Sequence, residues 1–342
     1  MSPKERFLSA LRDPYPRWIG DPWSCFNCTP DAKPSLPDAV SAMLGRPAMG
    51  EIRVKDAWGV EWDFPVGQAG PIPHVTDDTK VIKDVVSWQD AVAFPSLDNL
   101  DWEASKGACG ALDRDNKLVL IPSVRGMFEF SHAMMGFEDA LCNYIQEPEA
   151  MYALLDKYTD WKIDCARLII DEMQPDFILN FDDWGNKTRL FIPPAVWRRI
   201  LKPLYKRYFD YIHSRNVLVM NHCDCFAEEL TEDMVDIGVD VWQGPTPEND
   251  IPGVIHRAKG KILLIGGIDM SSIDFEDAPE YHIREHIRRT IDRYAGEGHF
   301  LPCFTSIRPI SERVMIIGAD EMNRYGDEYV HTHFNPVESQ AL

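Results

Sequence analysis

The sequence predicts an α/β fold, a distorted (β/α)8 TIM barrel with an N-terminal extension containing a small β-hairpin, and three observations carry that prediction. From Lys117 onward, short apolar runs alternate with helix-length amphipathic stretches. Such runs, bounded by turn residues, are the pattern of parallel strands buried on both faces, and helical crossovers between them imply a parallel sheet. No G-x-G-x-x-G follows a strand and no G-x-x-x-x-G-K-[ST] occurs, so the nucleotide-binding forms of the open sheet lack support and a barrel is preferred.

In chain order, residues 1–11 carry charges around a short apolar stretch, which suits an amphipathic helix better than a signal peptide. Residues 1–110 are rich in Pro, Gly and Trp and read as an extension and insertion packed on the barrel; residues 115–326 form the barrel core, and 1–342 is read as one domain. Arg17–Gly20 supplies a first strand. The alternation of large apolar and polar residues over Asp56–Phe64 supplies a strand of the hairpin. Leu118–Val124, Phe177–Phe181, Val217–Met220, Val239–Trp242, Ile262–Ile265 and Phe300–Leu301 are the remaining strands, leaving the eighth unplaced. Helices are expected over Phe130–Ile145, Glu149–Met173, Pro194–Ser214, which opens with prolines in the permitted first turn, and Ala227–Ile237.

Composition narrows the function classes. Hydrophobic residues at 45% and charged residues at 26% are those of a globular chain with a large core. A formal net charge of −20 repels nucleic acid and anionic membrane surfaces, so neither is expected as a partner. No run approaches the ~18 apolar residues of a membrane span, and a cytoplasmic location is expected. The 8 cysteines are scattered, and the C-x-x-C of Cys25 and Cys28 has no second pair at matching spacing to make a zinc knuckle.

In parallel α/β folds the site lies at the carboxyl ends of strands, so the residues leaving each apolar run are the candidates. His222, in Asn221-His222-Cys223-Asp224-Cys225, is the first of them, because imidazole serves as acid, base or metal ligand near neutral pH. Asp224 and Asp183 join it as candidate catalytic groups. Asp182 and Asp183 are adjacent, and two carboxyls sharing a cavity repel, which holds one protonated. Asn180, Asp182, Gln243 and Arg125 are candidate substrate-orienting groups, with Trp23, Phe26, Trp184 and Phe304 as pocket walls. His222, Cys225 and Cys303 are three potential zinc ligands, with Asp224 as the alternative to Cys225. Cys223 faces away from His222 and Asp224 in a continuing strand and is expected to pack.

Residues 176–194, read as Asp-Phe-Ile-Leu-Asn-Phe-Asp-Asp-Trp-Gly-Asn-Lys-Thr-Arg-Leu-Phe-Ile-Pro-Pro, resemble the uroporphyrinogen decarboxylase-like superfamily. Lys202-Pro203 within 198–214, the His222 exit, Gly238-Val239-Asp240, Gly266-Gly267-Ile268-Asp269 and Tyr325-Gly326 are similar to its landmarks in the same order. The resemblance implies a distorted barrel and two kinds of activity, the haem-pathway decarboxylase and corrinoid-linked methyltransferases. The decarboxylase holds its substrate's carboxylates with an Arg-containing loop after the first strand; here that place reads Asp21-Pro22-Trp23-Ser24-Cys25-Phe26, without Arg. Desolvated carboxylates need cationic partners.

The resemblance therefore points to the methyltransferase branch, of the type that moves a methyl group from a small O-methylated compound, such as an aryl methyl ether, to the cobalt of a separate corrinoid protein. Transfer from a methylated corrinoid to a thiol or folate, decarboxylation, and binding of a corrinoid or tetrapyrrole without turnover stand as alternatives. The corrinoid is expected on a partner protein, and a homodimer is a superfamily-level expectation. Members acting on thiols hold zinc with His-x-Cys and a Cys about eighty residues later. His222 and Cys303 match the outer ligands, whereas Asp224 occupies the middle position and Cys225 is displaced by one.

Overall fold

The computed structural model of the chain describes residues 1–13, 17–27, 36, 38–68, 70–305 and 310–334. Helix α1 (Pro3–Arg12) opens with a capping box between Ser2 and Glu5, which satisfies two of the amide groups a helix start leaves free. After α2 (Ala39–Leu44) the chain forms an antiparallel sheet of three strands, β1 (Val54–Lys55), β2 (Glu61–Asp63) and β3 (Ile72–Pro73). The expected strand over Asp56–Phe64 is thus corrected to a turn followed by β2. The Asp56 carboxylate accepts from the amides of Trp58 and Val60, and Gly59 takes φ 84°, so the backbone reverses there.

This small sheet is fixed to the barrel by Trp58. Its ring lies edge-on to Phe94, Phe130, Tyr158 and Trp161, at centroid distances of 5.2, 5.0, 5.8 and 4.8 Å. Helices α3 (Trp88–Ala91) and α4 (Glu103–Gly110) complete the extension.

Then come β4 (Leu120–Pro122), α5 (Met127–Met135), α6 (Phe137–Gln146), α7 (Pro148–Met173), β5 (Phe177–Phe181), α8 (Pro194–Ser214), β6 (Leu218–His222), α9 (Thr231–Ile237), β7 (Val241–Gln243), α10 (Ile251–Ala258), β8 (Leu263–Asp269), α11 (Glu280–Tyr294), β9 (Phe300–Thr305) and α12 (Glu312–His333). The helix expected over Phe130–Ile145 is two helices, broken at Gly136, whose φ of 94° is outside the helical region. Strands β4 to β9 form one parallel sheet in sequence order.

Alternate residues of each strand enter two separate apolar cores. Phe177, Leu179, Met220, Val241, Ile265, Leu301 and Cys303 share an inner cluster with Phe7 and Phe26. Ile178, Val219, Trp242, Leu264 and Phe300 belong to the cluster beneath the helices. A sheet with a filled inner face and a helix-covered outer face is a barrel wall. Its seam is closed by the segment after Arg17: Phe26 pairs in parallel with Leu118 just before β4, and the turn Pro22–Cys25 lies against β9.

Arg17–Gly20, expected as a strand, is not one. Ile19 is buried there against α12, where a side-chain carbon on Gly326 would stand 2.1 Å from the Ile19 carbonyl oxygen, so the helix approaches only because residue 326 is glycine. Cys28, half of the C-x-x-C, and Ser306 lie outside the described residues. No helix of the described residues is long and apolar enough to cross a membrane.

Candidate active site at the carboxyl ends of the strands

A cavity of about 1000 Å³ opens at the carboxyl ends of the strands. Phe128, Phe137 and Phe191 supply an aromatic wall, with Phe128 and Phe191 stacked at 5.5 Å and Phe137 edge-on to Phe191 at 5.0 Å. Gly67, in the loop between β2 and β3, also lines it, so the small sheet contributes to the enclosure. The remaining wall is acidic: Glu129, Asp183, Asp224, Glu248, Asp269 and Asp274 all face the space. Lys187 is the one Lys or Arg among the described lining residues, and it is paired with Glu248 at 3.0 Å.

Beneath this cavity the inward positions of three neighbouring strands fall in one layer, since Phe181 is in register with His222 and His222 with Gln243. His222 Nδ1 lies 2.5 Å from Gln243 Oε1. An amide oxygen accepts, so Nδ1 carries the hydrogen and Nε2 of a neutral ring is left with its lone pair. Two residues on, Asp224 points the same way and reaches the cavity. Burial raises its carboxyl to about 6, with His222 opposing and Asp183 and Glu248 adding to the rise. Its amide donates to Asp183 Oδ1 at 2.6 Å, while its own buried Oδ1 has no hydrogen-bond partner. Asp183, Asp224 and His222 are therefore brought together.

Asp182 goes the other way, because it has the outward parity of Ile178 on β5. It is fully buried and accepts from the amides of Phe128 and Glu129 at 3.1 and 2.8 Å, from Trp184 Nε1 at 2.8 Å and from the Tyr205 hydroxyl. This is a helix-start carboxylate that locks α5 to α8. The expectation that it binds substrate is corrected accordingly. Trp184, taken as a pocket wall, is likewise buried, packed on Trp197 and Tyr205.

The lock delivers a group that sequence reasoning missed. Glu129, held by its amide, lines the cavity, and its carboxyl has no hydrogen bond or ion pair among the described residues. Burial raises it to about 8, with Asp182 and Asp183 adding to the rise and Arg125 and Arg46 opposing it. A carboxyl in that range is mostly undissociated at neutral pH. His132, one turn on, is half-buried and held neutral, lowered to about 4 by desolvation and by Arg125. The sequence signal was a Glu inside the apolar run Met127-Phe128-Glu129-Phe130, in a helix with 7 of 9 residues buried.

Several other expected site residues are elsewhere. Asn180 has outward parity and donates through Nδ2 to Asn221 Oδ1 at 2.7 Å, both side chains fully buried beneath the helices. Phe26 fills the barrel interior edge-on to Phe7 and Phe177. Phe304 faces out against α12, where a side-chain carbon on Gly318 would meet its ring at 2.2 Å. Arg125 lies 3.7 Å above the Trp62 ring and 3.2 Å from Asp56, so it ties the small sheet to the barrel.

The expected zinc set is not assembled. Cys225 faces outward with Cys223, their sulfurs 3.2 Å apart, whereas Cys303 faces the barrel interior. Among the described residues, the group able to share an ion is Asp183, Cys223 and Cys225, with ligand atoms within 4.8 Å of one another. Burial, with the neighbouring Cys225 adding to it, pushes the Cys223 thiol well up, away from the thiolate a zinc ion needs. Trp23, half-buried, remains beside Cys303, whose thiol is raised by burial and further by Asp21 and Asp224.

The model of the family described as uroporphyrinogen decarboxylase (URO-D) matches residues 53–305. A solved methyltransferase from Methanosarcina mazei aligns with a TM-score of 0.67 at 14% identity, covering 95% of this chain and 99% of that one. At that identity the likeness establishes the fold. A 7,8-dihydropteroate synthase from Vibrio fischeri ES114 aligns at a TM-score of 0.30 and 15% identity, over 43% of this chain and 54% of that chain. A dihydropteroate synthase from Xanthomonas albilineans gives 0.27 and 12%, over 49% and 53%. Among curated proteins no sequence matches.

Proposed function

The chain belongs to the uroporphyrinogen decarboxylase family, and from that premise we propose that it is a methyltransferase that takes a methyl group from a small O-methylated compound, such as an aryl methyl ether, for a corrinoid carried by a partner protein. The observation that carries this reading is Glu129, an undissociated carboxyl in a cavity with an aromatic wall. The acidic lining disfavours a polycarboxylate tetrapyrrole, since its one Lys is already paired with Glu248. The branch of the family that decarboxylates is accordingly set aside.

The corrinoid, when its partner is docked, supplies the nucleophile that accepts the methyl group. The C–O bond breaks in that step, and the electron pair stays on the departing oxygen, which then needs a proton. Glu129 holds that proton at neutral pH because its ionised form is desolvated and faces Asp182 and Asp183. Asp224, beside His222, is the second acid of the cavity; Gln243 fixes the imidazole with the lone pair on Nε2, an acceptor on the same side of the barrel as Asp224. Asp183 holds the Asp224 backbone in place. Phe128, Phe137 and Phe191 pack the ring that carries the methoxy group.

The test supplies methoxyarenes with a reduced corrinoid protein and follows the corrinoid spectrum. Methylation is expected, lowered about a hundredfold in Glu129→Gln and in His222→Ala. No methylation with any ether, with both variants indistinguishable from the parent, sinks the reading. A second reading, methyl transfer to a thiol on zinc, would place the ion at Asp183, Cys223 and Cys225, against the burial that holds the Cys223 thiol up; one tightly bound zinc per chain, lost in Cys223→Ser, is the result that would move the assignment there.

A further inference from the structure

The cavity has more negative charge than the proposed proton transfer uses. Of its carboxylates, Glu129 and Asp224 are the acids of the mechanism, Asp183 holds the Asp224 backbone and Glu248 is paired with Lys187. Asp269 and Asp274 remain, on the side formed by the end of β8 and the turn after it. Asp269 accepts from the amide and hydroxyl of Ser271 at 3.0 and 2.6 Å and from the Ser272 hydroxyl at 2.8 Å. Asp274 accepts from Ser311, at 3.2 Å from its amide and 2.6 Å from its hydroxyl. Burial works against Asp269, but these bonds and Lys187 hold it below the usual carboxylate range. It is a fixed negative charge with hydroxyl donors and no cation within ion-pair distance among the described residues.

A negatively charged chain has acids on every surface, and several of the outer ones are paired. Asp156, Asp171, Asp210, Asp233 and Glu321 each meet a Lys or Arg within 2.8 Å. In the cavity, Asp269 and Asp274 have no Lys or Arg within ion-pair distance among the described residues, and carboxylates set across a cavity from aromatic rings favour a positively charged organic group, for which they supply the counter-charge.

We propose that the methyl donor carries a positive charge on a nitrogen, an ammonium or quaternary ammonium group, placed toward Asp269 and Asp274 while its methoxy-bearing ring lies against Phe128, Phe137 and Phe191. The proposal rests on the reading above that the donor is an O-methylated compound, and it names the class within it. Lys187 is the specificity gate. Held by Glu248 at 3.0 Å, it acts on the acidic side only from a distance; displaced toward it, it would neutralise that side.

The experiment is calorimetric binding to the full-length chain without any corrinoid protein, using three ligands of one shape and different charge: para-methoxybenzylamine, para-methoxybenzyl alcohol and para-methoxybenzoate. The amine is expected to bind about tenfold tighter than the alcohol, and the benzoate weaker than both. Asp274→Asn, which keeps the acceptor shape, is expected to lower the amine's affinity about threefold and leave the alcohol unchanged. Lys187→Gln is expected to tighten the amine and not the alcohol. Equal binding of amine and alcohol, or preference for the benzoate, overturns the proposal. Because binding is read without transfer, an amine that binds selectively but is never demethylated would remove the reading of function and leave the charge preference standing. An alcohol that binds as well and is demethylated would do the reverse.

Discussion

Replacing Glu129 by Gln tests the placement of the central acid without reference to any substrate. The amide is the shape of the undissociated carboxyl and cannot ionise, so it copies the state that the folded protein favours at every pH. In the parent the carboxyl is raised from 4.5 to about 8, first by burial and then by Asp182 and Asp183. The folded chain therefore binds more protons than the unfolded chain between those values. Stability contributed by this group is fully present below the ordinary value of 4.5 and is lost as pH rises toward about 8. With each pH unit corresponding to about 1.36 kcal/mol, the whole interval has a ceiling of about 5 kcal/mol; water entering the cavity reduces it, and about 2 kcal/mol is the working expectation. Urea unfolding of parent and Glu129→Gln at about pH 5, 6, 7 and 8 reads the difference. The variant should match the parent at the acid end and exceed it by about 2 kcal/mol at the alkaline end. A gap that does not change with pH, or a variant that is the weaker one near pH 8, would refute the assignment of Glu129 as a buried proton carrier.

Two further substitutions probe how the cavity is held. Arg125→Ala should destabilise the fold by about 3 kcal/mol, because it strips the buried Asp56 carboxylate of its cation, and amide exchange over 54–63 should accelerate; unchanged stability with weakened ligand binding would instead restore Arg125 to the substrate site. Gly126→Ala puts a carbon 2.1 Å from the Asp182 side chain, so the start of α5 must shift. A loss of about 2 kcal/mol in unfolding free energy with reduced turnover is expected, and full activity would show that the Asp182 lock does not position Glu129.

The barrel was legible from the chain because strands buried on both faces have an unmistakable composition, and Phe177–Phe181 was placed with its observed bounds. The exits of those strands led to His222, Asp183 and Asp224, which do converge. What the runs do not encode is parity at their ends. Asp182 and Asp183 differ by one position, and only the register of β5 against β6 decides that the first faces the helices and the second the cavity. The same uncertainty misassigned Asn180 and Phe304. Glu129 escaped notice for a different reason: it acts from a helix start rather than a strand end, and its acidity depends on Asp182, more than fifty residues away. The zinc expectation failed on distance, since Cys225 and Cys303 face opposite sides of the barrel wall.

The small sheet also has a bearing on the order in which the molecule is made. Trp58 rests on Phe130, Tyr158 and Trp161, and Asp56 waits for Arg125, so the sheet's anchors are synthesised about seventy to a hundred residues after the sheet itself. At ribosomal speed that is a delay of several seconds, during which Trp58 and Trp62 have no surface to cover them. The cavity borrows Gly67 from that sheet and takes Asp269, Asp274 and Thr305 from near the other end of the chain, so its wall is complete only after β9 has been made.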